Sequence, residues 1–235
     1  MRILITNDDG VAAEGLIPLA KWCQKLGEVT VVAPKYEQSA KSHGIEIHEP
    51  FEVTRREVDG IEIYAVDSTP ADCVRYAVLG MELKFDLIIS GINRGLNIGT
   101  DMLYSGTVSA AREAAILGLP AIALSTPPEY YPDAVVHLDE VFDYVKERKL
   151  LEIHGTYNVN IPQNPKGIRI TRQGGSYYSD SFDDMGDCMF KAHGRCVYEE
   201  RNNPALDTES TMNGYISIMP ITIDMTAVEV YNRLK

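Results

Sequence analysis

The chain has 235 residues, of which 45% are hydrophobic and 24% charged, a composition of globular proteins rather than disordered or fibrous ones. Acidic residues outnumber basic ones by 34 to 22, and the net charge of −12 argues against binding to nucleic-acid polymers or to anionic membranes. The length predicts one large domain, or one domain with a substantial extension.

Targeting and redox signals are weak in this sequence. The most apolar window, residues 114–124, is interrupted by Gly118 and Pro120 and is shorter than the ~18 residues that cross a bilayer. The N-terminal segment lacks the apolar core of a signal peptide, so we expect a cytoplasmic protein. The cysteines form no Cys-x-x-Cys pair, so a zinc site is not expected, and a disulfide would have to join Cys188 to Cys196.

Short β-branched runs alternate with helical patterns from residue 2 to about residue 161. This alternation predicts parallel strands joined by crossover helices. The predicted strands cover residues 2–6, 29–33, 61–66, 86–90, 121–125 and 158–161. The fold class is therefore predicted to be α/β, with a Rossmann-like, mainly parallel sheet and helices on both of its faces.

Helical patterns fill the segments between these strands, over residues 16–26, 70–80, 105–117 and within 133–150. Thr69 and Pro70 have the residue types preferred at the cap and at the first position of a helix. Glycines stand at or just after the ends of the first three helices, at Gly27, Gly80 and Gly118.

The character of the sequence changes in its last third. Residues 167–172 and 214–219 still predict strands, but residues 174–212 are polar and rich in turn residues, which favours loops and a hairpin. We therefore divide the chain into a Rossmann-like catalytic domain, residues 1–163, and a C-terminal hairpin and tail extension, residues 164–235. Such an extension seldom forms its own core, so we expect it to serve in oligomerisation, although it could pack on its own domain instead.

Ligands of open parallel sheets bind at the carboxyl ends of the strands, so residues that follow a strand are the candidates for chemistry. Asn7-Asp8-Asp9-Gly10 follows the first strand and brings two adjacent carboxylates to this edge. The Gly-x-Gly-x-x-Gly dinucleotide fingerprint is missing there, which argues against a dinucleotide-dependent oxidoreductase. The alternative for this motif is a solvated turn with a helix cap.

Two further loops bring polar groups to the same edge. Ser39 lies in the loop after the second strand, and a glycine-rich loop with Asn93 and Asn97 follows the fourth. Ser105-Gly106-Thr107 then opens a helix, whose free N–H groups and dipole favour an anion. Simple capping of this helix by a serine or threonine hydroxyl is an equally good explanation.

Carboxylate, hydroxyl and amide oxygens together favour Mg²⁺, Mn²⁺ or Ca²⁺ over zinc. Carboxylates about 5 Å from a phosphate repel it by roughly 3 kcal/mol per pair of unit charges at an effective dielectric constant of about 20, which Arg94 alone does not offset. A divalent cation reverses this repulsion and polarises the phosphoryl oxygens. These residues therefore predict metal-assisted phosphate chemistry beside Asp8 and Asp9.

At these positions the sequence resembles the SurE family of survival-protein nucleotidases. The resemblance is carried, in family order, by Asn7-Asp8-Asp9-Gly10-Val11, Val31-Val32-Ala33-Pro34 with Ser39, Thr69-Pro70-Ala71-Asp72-Cys73-Val74, Ser90-Gly91-Ile92-Asn93-Arg94-Gly95, Tyr104-Ser105-Gly106-Thr107-Val108, and Gly214-Tyr215-Ile216-Ser217 with Pro220, Asp224 and Thr226. It is weaker over residues 174–212, which leaves the oligomeric geometry and the base preference open.

The resemblance implies a metal-dependent phosphomonoesterase that hydrolyses nucleoside 5′- and 3′-monophosphates, with short polyphosphate as a further substrate to test. It implies one divalent cation per subunit, Mg²⁺ or Mn²⁺. The ligands of this cation would be Asp8, Asp9, Ser39 and Asn93, and Asp8 and Asp9 would also be the catalytic residues. Phosphate would then be bound by Asn97, Ser105, Gly106 and Thr107. The implied assembly is a homodimer or a homotetramer.

Two other interpretations stay open on the sequence alone. An aspartyl-phosphate mechanism would use Asp8 as its nucleophile, but that class carries Asp-x-Asp rather than adjacent aspartates and needs a distal lysine that we cannot assign. The second interpretation is a nucleotide- or phosphate-sensing binding protein that catalyses no reaction.

Overall fold

The computed structural model describes residues 1–131 and 133–235. The strands are β1 (Arg2–Thr6), β2 (Glu28–Pro34), β3 (Val53–Val58), β4 (Ile61–Val66), β5 (Leu87–Arg94), β6 (Ala121–Thr126), β7 (Thr156–Asn160), β8 (Ile168–Ile170), β9 (Tyr178–Asp184), β10 (Phe190–Cys196) and β11 (Ile216–Pro220). The α-helices are α1 (Leu16–Cys23), α2 (Pro70–Arg75), α3 (Gly106–Ile116), α4 (Leu138–Glu147), α5 (Leu150–Ile153), α6 (Asp207–Met212) and α7 (Val228–Leu234).

Nine of these strands form one sheet in the order β3-β4-β2-β1-β5-β6-β7-β11-β8, and β9 pairs with β10 in a separate hairpin. The central strands, from β4 to β7, are parallel, whereas β3 and β11 each run antiparallel to a neighbour. The α/β class and the mainly parallel sheet predicted from the sequence are therefore confirmed.

Helices cover both faces of the sheet, because side chains of a buried strand alternate between its two faces. In β1, Ile3 and Ile5 belong to the core that includes α1 and α4, whereas Leu4 belongs to the core that includes α2 and α3. Residues 3–5 of β1 are all apolar and fully buried for this reason. Such strands are typical of a sheet that is covered on both sides.

The predicted helices are confirmed, with small changes at their ends. Thr69 caps α2 by accepting a hydrogen bond from the backbone N–H of Asp72, and a turn of π-helix extends α2 to Gly80. Ser105 caps α3 by accepting from the backbone N–H of Val108 at 3.1 Å. The first helix ends at Cys23, three residues earlier than the apolar spacing predicts.

The main sheet continues across the predicted boundary at residue 163. β8 and β11 come from the predicted extension, yet they complete the sheet beyond β7. Ile216 and Ile218 of β11 are fully buried in the same core as β1. The extension is therefore part of the α/β fold, and among the helices and strands of residues 164–235 only the β9–β10 hairpin and α7 expose most of their side chains. A role for these two elements in oligomerisation stays a prediction.

Cys23 and Cys73 are buried and Cys188 and Cys196 are exposed, and all four are free thiols. Among the helices of residues 1–131 and 133–235, none combines the length and the apolar character that a membrane span requires.

Candidate active site

The candidate residues meet at the carboxyl edge of the sheet, where β1 lies between β2 and β5. The chain leaves β1 toward β2 on one side and later returns through α2 to β5 on the other side. A crevice forms where the strand order reverses in this way, and ligands of such sheets bind there. Asp8 and Asp9 follow β1, and Asn93 lies near the end of β5.

The carboxylate of Asp8 is held by the N-terminus of α3. Its Oδ1 accepts a hydrogen bond from the Thr107 hydroxyl at 2.5 Å, and its Oδ2 accepts from the Thr107 backbone N–H at 3.0 Å. Gly106 permits this approach, since a Cβ at this position would lie 2.8 Å from the Cβ of Asp8. The N–H groups and dipole of the helix thus stabilise a buried negative charge.

Asp9 follows on the solvent side of Asp8. Its Oδ2 accepts a hydrogen bond from the backbone N–H of Arg94 at 3.0 Å, which ties the end of β5 to the loop after β1. The neighbouring Asn7 does not face the site, because its side chain bonds both the carbonyl and the N–H of Gly10. The Asn7-Asp8-Asp9-Gly10 turn therefore presents its two carboxylates in fixed positions.

Both carboxylates are electrostatically costly in the folded chain. Burial raises the pKa of Asp8, and the hydrogen bonds from Thr107 offset part of this effect. Burial also raises the pKa of Asp9 to about 6, with a further contribution from the negative charges of Asp8 and Glu37. The N–H and guanidinium of Arg94 act in the opposite direction. The edge therefore carries concentrated negative charge that a cation would stabilise.

Asn93 reaches the site through an irregularity in β5. The register between β5 and β6 shifts between Ser90 and Asn93, where Gly91 has a φ of +137° and where a Cβ would clash with the Leu124 carbonyl. The Asn93 amide nitrogen donates to the Gly95 carbonyl at 2.9 Å. Its Oδ1 lies 3.5 Å from the Thr107 hydroxyl. Because that hydroxyl donates to Asp8, the side chains of Asn93 and Asp8 lie close together.

Ser39 lies on an exposed loop after β2, and its hydroxyl donates to Glu37 Oε1 at 2.7 Å. The preceding residue fixes the loop, since the Gln38 N–H donates to the Asp8 carbonyl at 2.7 Å. Further along the loop, His43 Nε2 lies 2.8 Å from Glu113 of α3. The loop that carries Ser39 is therefore anchored both to the turn after β1 and to α3.

The oxygen atoms of these side chains fit a hard divalent cation. The site offers two carboxylates, an amide oxygen and a hydroxyl, all oxygen ligands of the kind that Mg²⁺ and Mn²⁺ prefer. Within the described part of the chain no three His, Cys, Asp or Glu side chains cluster as a metal site, so amide and hydroxyl oxygens would have to complete the coordination. The raised pKa values of Asp8 and Asp9 are those of carboxylates that a cation would stabilise in their ionised form.

The residues predicted to bind phosphate separate into two groups. Thr107 directs both its hydroxyl and its N–H at Asp8, and the hydroxyl of Ser105 caps α3. Asn97 contacts other strands, since its amide nitrogen donates to Ser125 Oγ at 2.8 Å and its N–H donates to Asn160 Oδ1 at 2.8 Å. The structure thus gives Thr107 a contact to the carboxylate, and phosphate binding by these residues stays a prediction.

A cavity of about 300 Å³ opens beside Asp9 and contains residues that the sequence did not single out. Besides Asp9 and Ser39 it is lined by Arg94 and by Ala12, Ala13, Glu14, Glu37 and Tyr131. Tyr131 belongs to a loop after β6, far from the other lining residues in the sequence. No sequence motif marks such a position, because only the folded chain brings that loop to the turn after β1.

Comparison with known proteins shows the family of this chain. The family model described as "Survival protein SurE" matches residues 3–180. The chain belongs to the SurE family. A 5′-nucleotidase SurE from Thermoanaerobacter sp. (strain X514) is 42% identical, over 100% of this chain and 97% of the relative. A 5′-nucleotidase SurE from Thermosipho melanesiensis is 39% identical, over 100% of this chain and 96% of the relative.

The fold agrees with that of a SurE protein of known structure. The crystal structure of the SurE protein from Aquifex aeolicus superposes with a TM-score of 0.78 at 34% sequence identity, and covers 100% of this chain and 98% of that one. The SurE family model spans all the candidate site residues, from Asp8 to Thr107. The resemblance drawn from the sequence motifs is therefore confirmed at the level of family and fold.

Proposed function

We propose that this protein hydrolyses nucleoside 5′-monophosphates to nucleoside and inorganic phosphate with the help of a divalent cation. The observation that carries the proposal is the buried Asp8 carboxylate beside Asp9, held at the N-terminus of α3 and short of positive charge. The SurE relatives whose names state a 5′-nucleotidase activity support the choice of substrate.

Each residue then has a defined task. Asp8 and Asp9 would hold the cation together with Asn93 and Ser39, and Thr107 keeps both oxygens of Asp8 in place. When bound, the cation supplies Lewis acidity and offsets the negative charge of the phosphate. The N-terminus of α3 adds positive potential next to the reacting phosphoryl group, and Arg94 adds a full charge nearby.

The same site would act on 3′-monophosphates, because the proposed residues contact the phosphoryl group rather than the sugar. Short polyphosphate is a further substrate to test on the grounds of the family resemblance alone. Mg²⁺ and Mn²⁺ are the candidate cations, one for each subunit, since the ligand set consists of oxygen atoms.

The geometry disfavours an aspartyl-phosphate mechanism. Both oxygens of Asp8, the nucleophile that this mechanism would need, accept hydrogen bonds from Thr107, which lowers their nucleophilicity. A water molecule is therefore the proposed nucleophile, in line with the leaving oxygen. Failure to trap a phosphoenzyme after rapid acid quenching is the expected result, and a trapped acyl phosphate would contradict it.

Release of phosphate tests the proposal directly. Purified protein should release phosphate from AMP and GMP in the presence of Mn²⁺ or Mg²⁺, and should release none after treatment with a chelator. Re-addition of the metal should restore turnover. Tight binding of AMP without release of phosphate under every metal would instead identify a binding protein.

A further inference from the structure

We propose that the cavity beside Asp9 receives the leaving group and is shaped for a neutral nucleoside, with the ring of Tyr131 as a platform for the base. This inference rests on the proposed phosphomonoesterase function and deepens it, since it names what lies on the far side of the phosphoryl group. It assigns a role to Tyr131, Glu14 and Glu37, none of which belongs to the candidate metal or phosphate residues.

The position of the cavity is the first argument. Asp9 and Ser39 line it, and both belong to the candidate metal site. The group esterified to a phosphoryl at that site must occupy adjacent open space. With a volume of about 300 Å³, the cavity lies at the lower end of pockets that hold small organic ligands.

The fixed position of the Tyr131 ring is the second argument. Its hydroxyl accepts a hydrogen bond from the Gly15 N–H at 2.5 Å. Gly15 has a φ of −78°, which any residue can adopt, but a Cβ there would lie 2.5 Å from Tyr131 Cε2. A glycine is therefore needed at this position to admit the ring rather than to permit the backbone conformation.

The surroundings of the ring suit a nucleobase. Ala12 and Ala13 line the cavity with Tyr131 and add small apolar surfaces. Tyr131 lines the cavity together with Asp9 and Glu14, so the ring lies close to the carboxylate of the candidate site. A rigid aromatic ring next to small apolar side chains can stack with any base, because every base has a π-face.

Charge is the third argument. With Asp9 engaged by the cation, the cavity retains the carboxylates of Glu14 and Glu37 against the single guanidinium of Arg94. Hydrolysis of a nucleoside monophosphate joins water oxygen to phosphorus and breaks the bond between phosphorus and ribose oxygen. That oxygen takes up a proton, and a neutral nucleoside leaves. A diphosphate or a polyphosphate would instead place an anionic leaving group among the carboxylates, so the cavity should select monophosphates.

Paired substrates and paired variants test the platform. In Tyr131→Leu, the ratio of kcat/KM for AMP to kcat/KM for ribose 5-phosphate should fall by about five- to a hundredfold, the range that loss of base–aromatic stacking produces. Tyr131→Phe is the matched control, since it removes the bond to Gly15 but keeps the ring, and it should preserve the ratio. An unchanged ratio in Tyr131→Leu, or an equal fall in both variants, would overturn the assignment of the base platform.

Comparison of leaving groups tests the charge argument. Wild-type protein should hydrolyse AMP with a higher kcat/KM than ADP or tripolyphosphate, and Glu14→Gln should narrow that difference. Equal hydrolysis of AMP and tripolyphosphate by the wild type would overturn the selection of neutral leaving groups. Absence of hydrolysis of every substrate, with metal present, would overturn the proposed function itself, so the two failures are distinguishable.

Discussion

The carboxyl edge of the sheet buries polar groups, whereas the β9–β10 hairpin exposes apolar ones. At the edge, Asp8 is 3% exposed and Thr107 is fully buried. On the hairpin, Phe182 is 70% exposed and Phe190 is 62% exposed. Both regions reverse the usual distribution, in which charged groups are rarely buried and large apolar side chains seldom cluster at the surface.

The two reversals differ in how far the chain compensates for them. At the edge, every oxygen of the Asp8 carboxylate has a hydrogen-bond donor, so the remaining imbalance is one of charge. On the hairpin and on α7 the imbalance is one of apolar surface, since Phe182, Met189 and Leu234 are all exposed. A cation would correct the first imbalance, and a second protein surface would correct the second.

Removal of the charge at the edge should have the largest effect. Asp8→Asn keeps the shape of the side chain but weakens the cation site, so turnover of AMP should fall by at least about 10³-fold at saturating metal. The thermal midpoint without metal should hold or rise, because the amide carries no buried charge. Asp143→Asn, at an exposed position on α4, is the control and should keep full turnover. Near-normal turnover by Asp8→Asn would show that Asp8 is not needed for catalysis.

Removal of the support for that carboxylate should have a smaller effect. Thr107→Val deletes the hydroxyl that bonds Asp8 Oδ1, and kcat/KM for AMP should fall by about ten- to a hundredfold. Because the hydroxyl contacts the carboxylate, we expect the apparent affinity for Mn²⁺ to weaken as well. If metal affinity is unchanged and inhibition by phosphate weakens instead, Thr107 acts on the phosphate, as the sequence predicted.

The apolar surface of the tail gives the third prediction. Deletion of residues after Asp224 removes α7 with the exposed Val228, Tyr231 and Leu234, and should shift the protein toward a monomer in light scattering. The thermal midpoint should fall by a few degrees, since about 1 kcal/mol corresponds to about 2–4 °C in a chain of this size.

A matched substitution separates the apolar contacts of α7 from its charges. Tyr231→Ser in the full-length chain should weaken the assembly in the same direction as the deletion, whereas Glu229→Gln on the same helix should not. Full-length protein that is monomeric at high micromolar concentration would contradict the role of the tail in assembly.

The contrast between the two regions also explains what the sequence could predict. Apolar runs such as those of β1 and β5 mark strands covered on both faces, and the caps Thr69 and Ser105 mark the starts of α2 and α3. β3 was not predicted, because it is an exposed antiparallel edge strand with polar residues on both faces. Apolar periodicity has no signal for a strand of this kind.

The helix α6 escaped prediction for the opposite reason. Its residues are polar, yet Asp207 to Thr211 are buried, so burial and hydrophobicity disagree over the whole segment. Asp207 accepts hydrogen bonds from the N–H groups of Gly99 and Gly174, which satisfies its carboxylate inside the fold. Such a helix exists only because distant loops supply its partners, and a local pattern cannot show them.

The residues of the candidate site differ in the same way. Asp8, Asp9 and Asn93 could be predicted, because each follows or ends a parallel strand and the ends of such strands meet at one edge. The contact between Thr107 and Asp8 could not, since it depends on the close approach that Gly106 permits. Tyr131 could not be predicted either, because its place in the cavity depends on the missing side chain of Gly15.

Titration of Asp9 gives the smallest and most specific test of the charge imbalance. Its pKa of about 6 in the folded chain lies above the unfolded value, so folding favours the protonated carboxyl. The contribution of Asp9 to the stability of the metal-free protein should therefore be most favourable below about pH 4, and should decline as the pH rises to about 6. Thermal melts across this window should show the decline in wild type and a shallower one in Asp9→Asn, and added Mg²⁺ should restore stability at neutral pH in wild type alone. Identical pH profiles for the two proteins would mean that the carboxylate is already neutralised within the chain.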